Sequence, residues 1–475
     1  MKNKLLMGFP YVISVILMLG YQEITDKSYP YIIILFYVFY LVQLFVIYKR
    51  FLMVYSYIIF YITTNIIGVF LIETNNIFLN EIVMNSQNFN SLGLLVLVQM
   101  IFVEVIRLLY LSKKDLGYKG NINCNYTIRL GKLNINKINF IKLILFILFI
   151  IFLFLFLRVV NKPFFVVKLD RFLYQSQYLP SVINALSNSF LYFSPLIAIY
   201  AYFTKDKKIY TLIILAFVYF FWIGHKFSYF INVGYLIAIP FIMWGSYKVL
   251  RKSFRVGIIG IIVLILIVSI QSLVVYNRDF DDNIEYFKAR LAQQGQLWWA
   301  TYGLTNEEKN NVDEFSDEYK TYYKTSVPLN ETYNSGMYKI MQLTTPYEVF
   351  KMKVEDKQSR YAYSTQASIY YYFKGIGLIV FSIISAIGYF YITNGLIKNI
   401  LKMSIIPSIL LARLFVIYNR ALMQSDFNKL FSWEVVIILY GLLICFLLNI
   451  TFRKIEIKKR NIIPKLNTNK IKMFN

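Results

Sequence analysis

The sequence predicts an all-α, polytopic membrane protein of about twelve transmembrane helices with one large extracytoplasmic helical loop. Three observations carry this expectation. Of the 475 residues, 58% are hydrophobic and 16% charged, where a soluble domain holds about 25% charged residues. The apolar residues gather into runs of membrane length, and a bilayer core of ~30 Å takes about 20 helical residues to cross. A single long polar interval, Asn277–Lys374, interrupts the pattern with acids, bases, Tyr and Trp in near balance.

Twelve apolar runs follow one another along the chain. They are Leu5–Tyr21, Tyr29–Tyr48, Phe51–Ile72, Ser91–Leu111, Ile138–Val160, Ala185–Phe203, Ile209–Gly224, Phe227–Tyr247, Val256–Tyr276, Phe373–Ile392, Met403–Tyr418 and Glu434–Ile450. The chain thus divides into nine spans over 1–276, the loop over 277–372, three spans over 373–452 and a basic tail over 453–475. The first run has a short basic start and no small-residue cleavage site, so it is expected to be retained as a helix. The seventh and eighth runs join at Gly224-His225-Lys226, as a re-entrant pair or a tight hairpin. Cys124 and Cys445 lie in a basic linker and in the last run, which offers neither a disulfide framework nor a metal cluster.

Charge orients the bundle. The net charge of +25 invites a nucleic-acid partner, but the basic residues sit in short linkers and in the tail. That is the distribution of a topology signal facing anionic lipid, and no nucleic-acid partner is expected. With Met1 in the cytoplasm, the inner segments hold 27 of the 50 Lys and Arg residues, whereas Glu73–Asn90 on the outer side has none. Both termini are then cytoplasmic and the long interval is outside. One outer segment breaks the rule. Arg158–Pro180 carries Arg158, Lys162, Lys168 and Arg171 against Asp170, which suggests either an anion-holding role or interfacial snorkelling.

The long interval has helical signals of its own. Asp282-x-x-Glu285 matches a capping box, Gly295 a stop, and Ile284, Phe287 and Leu291 share a face. Leu297-Trp298-Trp299 suits the aromatic belt at a membrane interface. A second helix is expected over Glu307–Tyr322, and Pro346 can open a third at its first position.

Arg413 is the most informative residue. It sits about ten residues into the eleventh run, where an ionisable group is costly and defaults to a functional hypothesis. Arg420 follows seven residues later on the same face. Two guanidiniums two turns apart suit a diphosphate, or Arg413 is instead paired with Asp426 or Glu434. His225, the single histidine, is a candidate general base or a structural side chain bonded to a carbonyl. Lys226 beside it is a candidate anion ligand. Arg278, Arg290 and Arg360 in the long interval are further candidates, the first and last near its membrane anchors. Tyr302, Tyr361 and Tyr363 could stack on sugar rings. Glu104 and Arg107, three apart, read as a structural intrahelical pair. No Walker A motif, G-x-G-x-x-G or metal-ligand cluster is present, which leaves a cofactor-free mechanism without a metal.

This combination resembles the O-antigen and capsule polymerases, the Wzy-type oligosaccharide repeat-unit polymerase family. The matching features are the helix number, the cytoplasmic termini, one large late outer loop, a basic middle outer loop and outer-facing arginines. Gly224-His225-Lys226-Phe227-Ser228 is similar to the Gly-x-Lys/Arg element of such proteins. An Arg-x10-Gly motif of some members is absent, since Leu169, Ala289 and Thr301 stand eleven residues after Arg158, Arg278 and Arg290. The roles tied to it are therefore not carried over.

The resemblance implies a GT-C-like fold in the bacterial inner membrane. It implies a metal-independent, inverting glycosyltransferase acting on oligosaccharides linked to undecaprenyl diphosphate at the outer face. A chain-length regulator is an optional protein partner. Catalysis would fall to His225, Arg413 and Arg420, and substrate binding to Arg158, Lys168, Arg171, Lys226, Arg278, Arg290, Arg360 and Tyr363. A lipid-linked oligosaccharide flippase, a transferase using polyprenyl-phosphate sugars and an O-antigen ligase stay open as alternatives. The first fits poorly because no internal symmetry is visible.

Overall fold

In the computed structural model, residues 8–25, 27–112, 127–130, 133–167, 174, 177–225, 227–244, 280–305, 313–315, 336–356, 361–425 and 427–462 are described. The chain is almost wholly helical. The helices are α1 (Phe9–Thr25), α2 (Pro30–Ile47), α3 (Lys49–Val54), α4 (Ser56–Thr74), α5 (Leu92–Ser112), α6 (Lys137–Val159), α7 (Phe164–Val167), α8 (Ser181–Thr204), α9 (Ile209–Trp222) and α10 (Phe227–Trp244). The long interval supplies α11 (Phe280–Ala292), α12 (Gln296–Leu304), α13 (Gly336–Thr344) and α14 (Tyr347–Lys351). Then come α15 (Thr365–Leu401), α16 (Ile405–Gln424) and α17 (Trp433–Ile462). Two short antiparallel hairpins complete it, β1 (Phe78–Leu79) with β2 (Met84–Asn85), and β3 (Thr127–Leu130) with β4 (Leu133–Asn136).

Among the described residues, seven helices are long and apolar enough to cross a membrane, and four shorter apolar ones accompany them. Eleven of the twelve apolar runs are therefore helices, and Val256–Tyr276 lies outside the described residues. Helix α5 is the most enclosed of the seven, with 72% of its apolar window inside the bundle, whereas α2 has 22%. An interior position explains why α5 is apolar around most of its circumference, with Gln99, Glu104 and Arg107 as buried polar exceptions. It packs on α15, which packs on α16, which in turn meets α8 and α17.

The seventh and eighth runs, expected as a re-entrant pair or a tight hairpin, are separate helices, α9 and α10, with a turn closing α9. Gly224, at φ +76°, ends α9. Its N–H donates to the Phe221 carbonyl and that of His225 to the Phe220 carbonyl, the double bond pattern of a Schellman turn.

The long interval docks on the bundle more deeply than its polarity suggests. Gly295 crosses Gly68 of α4 so closely that a Cβ on Gly295 would stand 2.4 Å from the Val69 backbone nitrogen. Asn65, one turn deeper, donates to the Gln294 carbonyl at 2.6 Å. A separate buried cluster joins Ile72, Leu79 and Ile82 to Leu297, Trp299, Met337, Ile340, Phe350 and Tyr372. The cap thus has its own core, shared with the end of α4 and the first hairpin.

Several local expectations change. Trp298 and Trp299 are fully buried rather than placed in an interfacial belt; their indoles donate to the Ser91 and Gln87 carbonyls at 3.2 and 3.0 Å. Helix α11 starts at Phe280, two residues before Asp282, so Asp282 lies inside the helix and not at its cap. Of Glu307–Tyr322 only residues 313–315 are described, and they are helical. Pro346 stands at the cap of α14, one position before the expected one. The polar interval ends earlier than Lys374, because α15 begins at Thr365.

Helix α15 has 37 residues and would measure about 55 Å if straight, well beyond a bilayer core. Lys374 breaks it at φ +54°. Its ammonium bonds the Thr305 carbonyl and lies 5.3 Å from the Tyr370 ring. The turns before the kink belong to the cap, and those after it cross the bundle.

Candidate functional site

The cap-side end of the bundle brings four of the candidate residues into one neighbourhood. Helix α6 ends there with an exposed Arg158, and the Trp222 indole of α9 ties the two helix ends by donating to the Val160 carbonyl at 3.2 Å. The Schellman turn holds His225 against aromatic rings, 4.5 Å from Tyr229 and 5.2 Å from Phe220. Tyr229 donates to the Ser187 carbonyl at 3.3 Å, and the Ser187 hydroxyl meets the Tyr219 hydroxyl at 2.7 Å. Arg158 acts electrostatically on the Tyr219 hydroxyl. Arg420 acts on those of Tyr229 and Tyr192.

Arg413, one helical face further down, completes the group. Its guanidinium lies 5.3 Å from the Tyr192 ring, and its Nε is 2.6 Å from Glu434 Oε1. Of the two arrangements the sequence leaves open, a salt bridge to Glu434 is the one formed. Asp426 lies outside the described residues. Arg413 and Arg420 both reach Tyr192, so the seven-residue spacing does place them on one face, toward α8. His225 and Arg413 therefore border a band of hydroxyls, Tyr192, Ser187, Tyr219 and Tyr229, and Arg158 and Arg420 are near enough to act on it electrostatically. This band was not legible in a chain with 41 tyrosines, since nothing in composition separates these from the rest.

Other candidates lie elsewhere. Arg290 is exposed on α11 and donates to Gln293 Oε1 at 3.0 Å. Tyr363 is buried between α4 and α16, with its hydroxyl 3.0 Å from that of Thr64 and its ring 5.8 Å from Tyr61. Tyr302 stacks on Tyr370 at 5.3 Å. Tyr361 donates to the Glu81 carbonyl. Burial pushes the Tyr361 and Tyr363 phenols well above the usual tyrosine range, so both remain protonated donors at neutral pH. Lys168, Arg171, Lys226, Arg278 and Arg360 lie outside the described residues.

Two acids, Glu73 in the last turn of α4 and Glu81 between β1 and β2, organise the cap. Glu73 Oε1 accepts from the Ser91 N–H at 2.6 Å, the Ser91 hydroxyl at 2.8 Å and the Leu92 N–H at 3.2 Å, and so closes the start of α5. Glu81 pairs with Lys353 at 2.9 Å and accepts from the Gln296 amide. The signal for both was the absence of Lys and Arg from Glu73–Asn90, which the topology reading used only for orientation. The Glu104–Arg107 pair is formed, fully buried on Arg107, and Tyr40 donates to Glu104 at 2.9 Å. Among the described residues no group of three or more His, Cys, Asp or Glu could hold a metal ion.

Residues 330–451 match a family of unknown function, DUF6418. The match spans the end of the cap, α15, α16 and the first part of α17, and includes Tyr363, Arg413, Arg420 and Glu434. No curated protein and no solved structure matches the chain.

Proposed function

We propose that the chain is a polysaccharide polymerase, an inverting glycosyltransferase that joins oligosaccharide repeat units carried on undecaprenyl diphosphate. The observation that supports this reading is that His225 packs on Tyr229 and Arg413 on Tyr192, with Arg158 and Arg420 close enough to act electrostatically on the same hydroxyls. Twelve spans, cytoplasmic termini and an outward-facing site in a GT-C-like bundle complete the proposal, in keeping with the polymerase resemblance.

The chemistry asks for these groups. An acceptor hydroxyl attacks the anomeric carbon of the donor sugar as the bond from that carbon to the diphosphate oxygen breaks. The electron pair stays on the diphosphate, and the proton passes from the hydroxyl to a ring nitrogen of His225. Arg420 and Arg158 neutralise the charge that grows on the leaving diphosphate, the kind of stabilisation worth about 10²–10³ in rate per donor. Arg413, its charge balanced by Glu434, orients Tyr192 beside Arg420. The basic residues of 158–171 would guide the anionic lipid carrier to the site.

The test is the lipid-linked intermediates of a deletion strain. Accumulation of single-unit glycolipid on the outer face, with polymer lost, supports the polymerase. Glycolipid confined to the inner face makes the chain a flippase, and polymer that is made but not transferred makes it a ligase.

A further inference from the structure

We propose a second binding site, for uncharged hydroxyl-rich ligands, in the cleft beneath residues 361–366. The ligand class we assign is the glycosyl residues of the acceptor strand, an assignment that rests on the polymerase reading above.

The cleft lies between α4, α5, α15 and α16. The hollow and its open mouth together span about 460 Å³, a space continuous with open solvent. Its lining alternates aromatic rings with neutral polar groups, chiefly Tyr61, Gln99, Tyr363, Gln366, Ser382 and Ser385. No Lys, Arg, Asp, Glu or His lines it, so it is no place for a phosphate or a carboxylate. None of Tyr192, Ser187, Tyr219 and Tyr229 lines it.

Polar groups at this depth need partners, because an amide or hydroxyl buried without one costs roughly 1–3 kcal/mol. Gln99 and Ser382 are 4% and 5% exposed, and no hydrogen bond joins the Gln99 amide or the Ser382 hydroxyl to another described residue. Both face the cleft. Two neutral polar side chains open to the cleft, Gln99 and Ser382, flanked by the Tyr61 and Tyr363 rings, are complementary to sugar hydroxyls and to the apolar face of a pyranose.

The deep part of the cleft measures about 30 Å³, room for a water molecule or so and not for a sugar ring. A ring therefore needs one wall to yield. Residues 361–364 form that wall. Tyr363 sits at φ +54°, a conformation that costs a bulky residue about 1–3 kcal/mol. It is held by its bond to Thr64, and the Ser364 N–H donates to the Met423 carbonyl at 2.9 Å. Swinging this strap outward relieves the strain and widens the cleft toward the cap.

The test uses the full chain in nanodiscs, with Cys124 and Cys445 replaced by Ser and a single Ser382→Cys. A charged thiol reagent is expected to modify that cysteine, at least tenfold more slowly when lipid-linked oligosaccharide extracted from the producing strain is present. Sugar-free undecaprenyl diphosphate is expected to give no protection. An unreactive cysteine, no protection by the glycolipid, or equal protection by the bare carrier each overturns the proposal. In cells, Ser382→Phe is expected to abolish polymer at wild-type membrane levels; normal polymer from Ser382→Phe also overturns the proposal. The deletion strain decides the polymerase reading separately, since its lipid profile does not depend on the cleft.

Discussion

Arg413 Nε stands 2.6 Å from Glu434 Oε1, joining the middle of α16 to the first turn of α17. The two side chains remain 44% and 40% exposed, which in a bilayer means exposure to lipid or to a water-filled recess. A lone guanidinium or carboxylate at that depth is costly, so each ion keeps the other in place. A double-mutant cycle of Arg413→Met and Glu434→Gln, followed by thermal unfolding in detergent, is expected to show a coupling of about 1 kcal/mol. Strict additivity would remove the pair from any structural role.

Arg420 has no such tether to a carboxylate among the described ion pairs, and it acts electrostatically on the Tyr192 and Tyr229 hydroxyls. Arg420→Ala is expected to slow chain growth by roughly 10²–10³ with unchanged membrane abundance. Single-unit glycolipid should accumulate. Arg420→Lys should recover only part of the rate, because an ammonium loses the two-pronged grip on a diphosphate. Polymer length on gels and glycolipid extraction provide the readout, and normal polymer from Arg420→Ala would falsify the assignment.

His225 is expected to show itself in a pH profile. If it accepts the proton of the acceptor hydroxyl, activity falls as pH drops through the imidazole titration, because only the neutral ring is a base. His225→Gln should lower the rate and lose that acidic limb. A variant that keeps the limb assigns it to another group and leaves His225 as packing for Tyr229.

Gly295 and Gly68 form the closest crossing between cap and bundle. A methyl at either position meets backbone atoms within 2.6 Å, and backbone in a packed helix has little room to yield. Gly68→Ala and Gly295→Ala are each expected to destabilise cap docking by about 1–3 kcal/mol. Faster proteolysis within 277–364 at unchanged bundle stability would be the signature. Equal protease resistance would argue against the deep docking.

Trp298 contributes both area and a hydrogen bond. Trp298→Phe keeps most of the ring and leaves the Ser91 carbonyl without the indole donor, an expected loss of about 1 kcal/mol. Trp298→Ala removes the ring from a fully buried position, with an expected loss of about 3–5 kcal/mol. The thermal midpoints of the two variants should rank in that order.

The apolar runs were legible because a bilayer imposes one rule on every span, a stretch of helix with its backbone bonds satisfied internally. That rule is local, so eleven of the runs named from composition are helices, with ends shifted by a few residues. Pro30 at the first position of α2 and Gly224 after α9 are equally local signals. The cap was less legible. Trp298 and Trp299 look like interfacial anchors in a window of sequence, yet they are core residues because α4, the first hairpin and α13 close over them. Asp282 and Glu285 satisfy a capping pattern, yet α11 begins earlier.

The chain's own residues determined that it is helical, polytopic and cationic at its linkers, since hydropathy and capping act over a few turns. They also marked Arg413 as costly and therefore significant, since depth in a span follows from counting. Only the tertiary structure decided that Glu434 neutralises it, that His225 packs on Tyr229 beside Ser187, and that Gln99 and Ser382 face a cleft under Tyr363. Those relationships join residues up to hundreds of positions apart. Contact between helices depends on which face of each turns inward, and hydrophobic periodicity fades as a guide when lipid and protein interior are equally apolar.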